Sequence, residues 1–103
     1  MNQAQTVIWT QQARQDLLGI VQYIKNNNPQ NATAIAEQIK SKTLELNLFP
    51  ERGRIIPELQ DQGIFHYREL IATPWRILYK QVSNQVFILG VIDSRRNLED
   101  LLL

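Results

Sequence analysis

The 103-residue sequence contains no cysteine, one histidine and one methionine. Without thiols there are no disulfides, no thiolate nucleophile and no cysteine-ligated zinc. The lone histidine, His66, leaves a histidine-based metal site without a second imidazole. There is no run of about 18 apolar residues, and the opening MNQAQTVIW has no basic segment leading into an apolar one. Neither a membrane span nor a secretory leader is indicated, and a cytoplasmic location is the expectation. The formal charge is only +1, so the molecule as a whole is not a basic block built to coat a polyanion. Glycine-rich phosphate loops, nucleophile elbows and metal-ligand spacings are all missing, and no cofactor or metal is expected.

What remains has the composition of an ordinary globular protein, with 44% hydrophobic and 20% charged residues. A chain of this length supports one core, so residues 1–103 are read as a single domain. Val7-Ile8-Trp9 is β-branched and aromatic and runs into Thr10, a helix-capping residue type, which predicts a short strand followed by a helix. Ala13, Leu17, Ile20, Val21 and Ile24 then recur at helical spacing until Asn26-Asn27-Asn28-Pro29 ends the run. Asn31 is expected to cap a second helix with Ala32, Ile35, Ala36, Ile39 and Leu46 on its buried stripe, ending at Pro50. Whether the two helices form an antiparallel hairpin or simply pack side by side on a sheet is left open by the pattern.

Residues 50–63 are rich in proline, glycine and charge and read as an irregular connection, with a short strand at Arg54-Ile55-Ile56. Three strands are expected next, over residues 65–72, 75–81 and 85–92, joined by short hairpin loops at Thr73-Pro74 and Val82-Ser83-Asn84. Val86-Phe87-Ile88-Leu89 is apolar on both faces and should lie inside the sheet. The order of strand, two helices and meander predicts an α+β fold with helices packed on one face of an antiparallel sheet. A final short helix is expected from Asn97.

Charge is distributed unevenly. Between residues 52 and 96 stand seven basic residues, six of them arginine, against Glu58, Asp61, Glu69 and Asp93, a local surplus of three. Arg68 and Arg76 fall on strands expected to be neighbours, and Arg95-Arg96 follow the last strand. The four are expected to converge near one face or end of the sheet, where guanidinium forks grip phosphate or carboxylate. The competing reading is that these are surface ion pairs of little weight. No spaced carboxylate pair signals acid–base catalysis, His66 reads as a partly exposed residue on a strand, and Trp75 reads as core.

Taken in order, VIWTQQARQDLLGIVQYI, LNLFPERGRIIPEL, YRELI, WRILY and VFILGVIDSRRNLEDLL resemble the successive blocks of the RelE/ParE toxin superfamily, from Val7 to Leu102. The resemblance implies a toxin of a type II toxin–antitoxin module, held in a hetero-oligomer by a cognate antitoxin whose flexible segment folds along its surface. It implies one of two activities, inhibition of DNA gyrase in ParE-like members or ribosome-dependent cleavage of mRNA in RelE-like ones. The nuclease reading would draw on Arg54, His66, Arg68, Glu69, Arg76 and Arg96. The inhibitor reading would use Arg68, Arg76, Asp93, Arg95 and Arg96 as target contacts. Asp93-Ser94 stand where many relatives carry histidine before the double arginine, and no tyrosine or histidine follows Tyr79. With the longer helical hairpin, the IPEL block and the DSRRNLEDLL ending, this favours the ParE-like, non-enzymatic reading.

Overall fold

The computed structural model describes residues 4–95. Strand β1 (Thr6–Trp9) ends at Thr10, whose side chain accepts from Ala13 N and so satisfies a donor in the first turn of helix α1 (Gln11–Lys25). Helix α2 (Pro29–Leu44) begins three residues earlier than the sequence pattern indicates. Its cap is Asn28, accepting from Asn31 N, and Pro29 takes the first helical position, where its missing N–H costs nothing. Asn31 is therefore inside the helix. Leu46 lies in a 3-10 turn, Glu45–Asn47, that continues α2.

The rest of the chain builds strand β2 (Arg54–Ile55), a one-turn helix α3 (Pro57–Gln60) and a meander of β3 (Tyr67–Ala72), β4 (Trp75–Val82) and β5 (Gln85–Asp93). The order across the five-stranded sheet is β1-β5-β4-β3-β2. β2 through β5 pair antiparallel, as expected, but β1 pairs with β5 in parallel, Val7 beside Val86 and Trp9 beside Ile88. The first and last strands thus meet across almost the whole chain, which supplies the long crossover that a parallel pair needs. β5 lies inside the sheet, as its two-sided apolar sequence requires. His66 and Phe65 fall just outside β3. The expected helix from Asn97 lies outside the described residues.

Side chains alternate across the pleat, so each strand offers one set of residues to the helices. Leu70, Ala72, Ile77, Tyr79, Val86, Ile88 and Val91 form the core with Ala13 and Leu17 of α1 and Ile39 of α2. The two helices pack on each other as well as on the sheet, so both packing arrangements hold at once. The opposite face carries a smaller cluster, in which Ile56 and Leu59 cover Tyr67, Leu78 and Ile92. Residues 56–64 act as a strap across that second face.

Asp16 ties α1 to the sheet. Its Oδ2 accepts from Val91 N at 3.0 Å, beside the irregularity at Leu78/Tyr79, and Gly90 leaves room for it. Asp16→Ala leaves that amide unpaired, and a loss of about 1–3 kcal/mol is expected in urea unfolding. Among the described residues no helix is long and apolar enough to cross a membrane, and no group of three histidine, aspartate or glutamate side chains is placed to hold a metal.

Candidate functional site

The arginines singled out by the sequence do not gather on one face. Cross-strand partners share a face, and the register sets Arg68 opposite Tyr79 but Arg76 opposite Ile71. Arg68 therefore belongs with the helix-covered set and Arg76 with the strap-covered set, on opposite sides of the sheet.

On the strap side, Glu69 of β3 is completely buried. Its carboxylate accepts from Arg54 Nε at 2.7 Å and from Arg76 Nε at 2.6 Å. The other end of the Arg76 guanidinium donates to both oxygens of Glu58, at 2.8 Å each, a two-pronged pairing that suits the planar fork. Pro57 starts the turn of α3 that presents Glu58 to the sheet. Among the described residues, two arginines and two glutamates meet here and their charges cancel. The hydrogen bonds to Glu58, helped by Glu69 and opposed by burial, raise the Arg76 pKa above the usual guanidinium value, so it stays charged at every working pH. Arg76 is 6% exposed, and its bonds to Glu58 tie the strap to the sheet.

On the helix side, Arg68 Nη1 donates to Gly53 O at 2.7 Å. Tyr79 in the same row donates its hydroxyl proton to Pro50 O and accepts from Gly53 N, both at 2.8 Å. Burial raises the Tyr79 pKa and keeps the phenol protonated for that donation. Arg68 and Tyr79 together hold the loop of residues 50–53 against the sheet edge.

Arg95 is placed differently. Its side chain is 86% exposed, yet Asp93 fixes it by accepting from the Arg95 backbone N–H and from Nε and Nη2, at 2.8, 3.0 and 2.8 Å. The pairing with Asp93 raises the Arg95 pKa, so a charged guanidinium stands in water at the end of β5 in a set orientation. Arg96 lies outside the described residues. His66 is exposed, with its ring 4.3 Å from that of Tyr67.

One concavity among the described residues is not marked by the charged residues. A groove of about 870 Å³ runs between β1 and the helices, lined by Val7, Ile8 and Trp9 with Leu17, Leu18, Val21 and Leu44 among the apolar walls. Leu18 and Leu44 are 57% and 65% exposed. The signal in the sequence is that both leucines lie off the buried stripe of their helices, an apolar excess that the core does not need. Arg14 and Lys40 are the charged residues of the lining.

The fold is shared with chains solved in toxin–antitoxin systems. The chain aligns with a chain of the chromosomal ParDE system from P. aeruginosa at a TM-score of 0.73 and 18% identity, covering 89% of this chain and 98% of that one. The RelBE2 toxin–antitoxin complex from Mycobacterium tuberculosis contains a chain aligned at a TM-score of 0.60 and 22% identity, over 87% and 91%. These two likenesses show the fold. In sequence, Toxin ParE3 of Caulobacter vibrioides is 34% identical over 74 residues, which is 72% of this chain and 70% of that toxin. Residues 7–98 match the model of the family described as ParE toxin of type II toxin-antitoxin system, parDE, and the chain belongs to that family.

Proposed function

We propose that this toxin disables DNA gyrase by surface contact and that a cognate antitoxin neutralises it in a hetero-oligomer. The observation that carries the choice of binding over cleavage is the Arg54–Glu69–Arg76–Glu58 cluster. A ribonuclease at this place needs a carboxylate available to move a proton and guanidinium groups aimed at phosphate. Here both carboxylates accept from arginine, and Arg76 is turned inward against them. The target contact is assigned instead to the end of β5, where Asp93 presents Arg95, together with Arg96. Arg68 and Arg76 support the fold and do not touch the target.

Purified toxin in stoichiometric excess is expected to block gyrase supercoiling and to change cleavage-complex formation, and to leave mRNA on programmed ribosomes uncut. Codon-dependent cleavage with unaffected gyrase would replace this reading by the ribonuclease one. Arg95→Ala, tested in the same supercoiling assay, is expected to weaken inhibition by about tenfold or more, in the range of an interface arginine, with an unchanged unfolding midpoint because the side chain is exposed.

The antitoxin reading draws support from the groove. Its walls are largely apolar, its lining charges are basic, and two leucines stand exposed along it. A flexible chain that orders on binding covers such a surface at the entropic cost of folding, which a wide apolar contact offsets.

A further inference from the structure

Helix α1 has a side that neither the core nor the groove uses. At the start of the helix Thr10 N donates to Ile88 O at 3.0 Å, and further along Asp16 accepts from Val91 N at 3.0 Å, so α1 and β5 run in the same direction. Tyr23 follows Asp16 on the same side of α1, two turns on, and so lies about 10 Å further along the axis. The strand path from Val91 to Ser94 covers a similar length, roughly 10 Å. Tyr23 therefore stands over the end of β5, next to Arg95. Asp93 holds the Arg95 guanidinium most strongly, and Tyr23 is near enough to act on it as well. Tyr23 is 71% exposed.

Gly19 lies between Asp16 and Tyr23 on this side. A glycine in a helix interior gives up more backbone freedom on folding than any other residue, and here the packing gains nothing from it. A Cβ at Gly19 would meet nothing within 4 Å among the described residues, whereas one at Gly53 or Gly90 would crowd its neighbours. The flanking side chains, Gln15 and Gln22, are exposed and uncharged. At about 100° per residue, the α1 residues that line the groove centre on the opposite side of the helix from Gly19 and Tyr23. This side is thus separate from the groove and continuous with Arg95.

Building on the gyrase reading above, we infer that the target contact extends from Arg95 onto α1, with Tyr23 as an anchor, Gly19 as the gap that admits the target's backbone, and a protein surface bearing a carboxylate as the occupant. Tyrosine and arginine are the residue types that carry much of the binding energy at protein interfaces. A residue without a side chain lets another backbone come close. A nucleic-acid strand suits this side less well, because its affinity comes from many cations set on phosphates. Here Arg95 is already paired with Asp93 and stands among neutral amides.

Inhibition of gyrase supercoiling by purified toxin is the test. Gly19→Gln is expected to raise the urea unfolding midpoint, because glutamine is the better helix former and its side chain enters open space. The same variant is expected to inhibit at least tenfold more weakly, a gain in stability with a loss of function that a scaffold residue does not give. Tyr23→Ala is expected to keep the parent midpoint and to inhibit at least tenfold more weakly. If Gly19→Gln lowers the midpoint instead, Tyr23→Ala decides alone. Full inhibition by both well-folded variants overturns the extension onto α1 and leaves the gyrase reading standing. A parent toxin that does not inhibit gyrase overturns both. Binding of the toxin to duplex DNA without gyrase, weakened by the same substitutions, assigns this side to nucleic acid and overturns the protein contact.

Discussion

Arg76→Ala is expected to cost about 3–5 kcal/mol, because removing one member of a buried ion cluster strands the others. Glu69 is completely buried, and Glu58 is largely so, and each accepts directly from Arg76. Arg54 reaches Glu69 but is itself 60% exposed, so it compensates only in part. The loss is a large share of the roughly 5–15 kcal/mol that a typical domain has. Urea titration measures it, and hydrogen exchange over residues 56–64 should show the strap released. A variant that unfolds as readily as this will also lose toxicity, so loss of growth arrest in Arg76→Ala does not identify a target contact. An unfolding midpoint equal to that of the parent protein would contradict the assignment of Arg76 to the scaffold.

Gly53→Ala is expected to lose about 2–4 kcal/mol by a different route. A Cβ at this position would stand 2.6 Å from Glu69 O and 2.6 Å from Tyr79 Oη. One of those atoms is backbone in β3, so the loop must move away from the sheet edge. With it go the Gly53 N–H bond to Tyr79 and the Arg68 bond to Gly53 O. The denaturation midpoint reads the energy. The same displacement should expose the Tyr79 phenol, lowering its pKa back toward the ordinary value because burial is what raised it. In the parent protein the raised pKa stabilises the fold below the ordinary phenol range and loses that contribution as alkali deprotonates Tyr79.

These two positions also indicate what could be read from the sequence. The helices, the strand count and the interior place of β5 follow from apolar periodicity and from residue types, because those patterns report which face is buried. The start of α2 was misplaced at Asn31, although a proline suits the first helical position and Pro29 makes the preceding Asn28 the cap. The parallel pairing of β1 with β5 was not legible, because a short apolar run reads the same for either strand direction and the partner is nearly the whole chain away. The separation of Arg68 from Arg76 was legible in part. Once the hairpin turns at Thr73-Pro74, Ala72 faces Trp75, and counting alternate residues puts the two arginines on opposite faces. Glu58 as the partner of Arg76 depends on how an irregular connection folds back, which local pattern does not specify. The groove is written only as leucines that the helices have no internal need to expose.

The division of labour between internal and external arginines bears most directly on how the toxin works. Replacing its three more buried members together, with Glu58→Leu, Glu69→Leu and Arg76→Met in one chain, removes their charges at once and leaves Arg54, which is 60% exposed, and such exchanges are often neutral or stabilising. Growth arrest on induction of this triple variant, with folding verified by its urea transition, is the deciding measurement. Arrest as strong as that of the parent toxin is the predicted result. A well-folded triple variant that no longer arrests growth would mean that Arg76 and its glutamates act on the target, contrary to the account given for them.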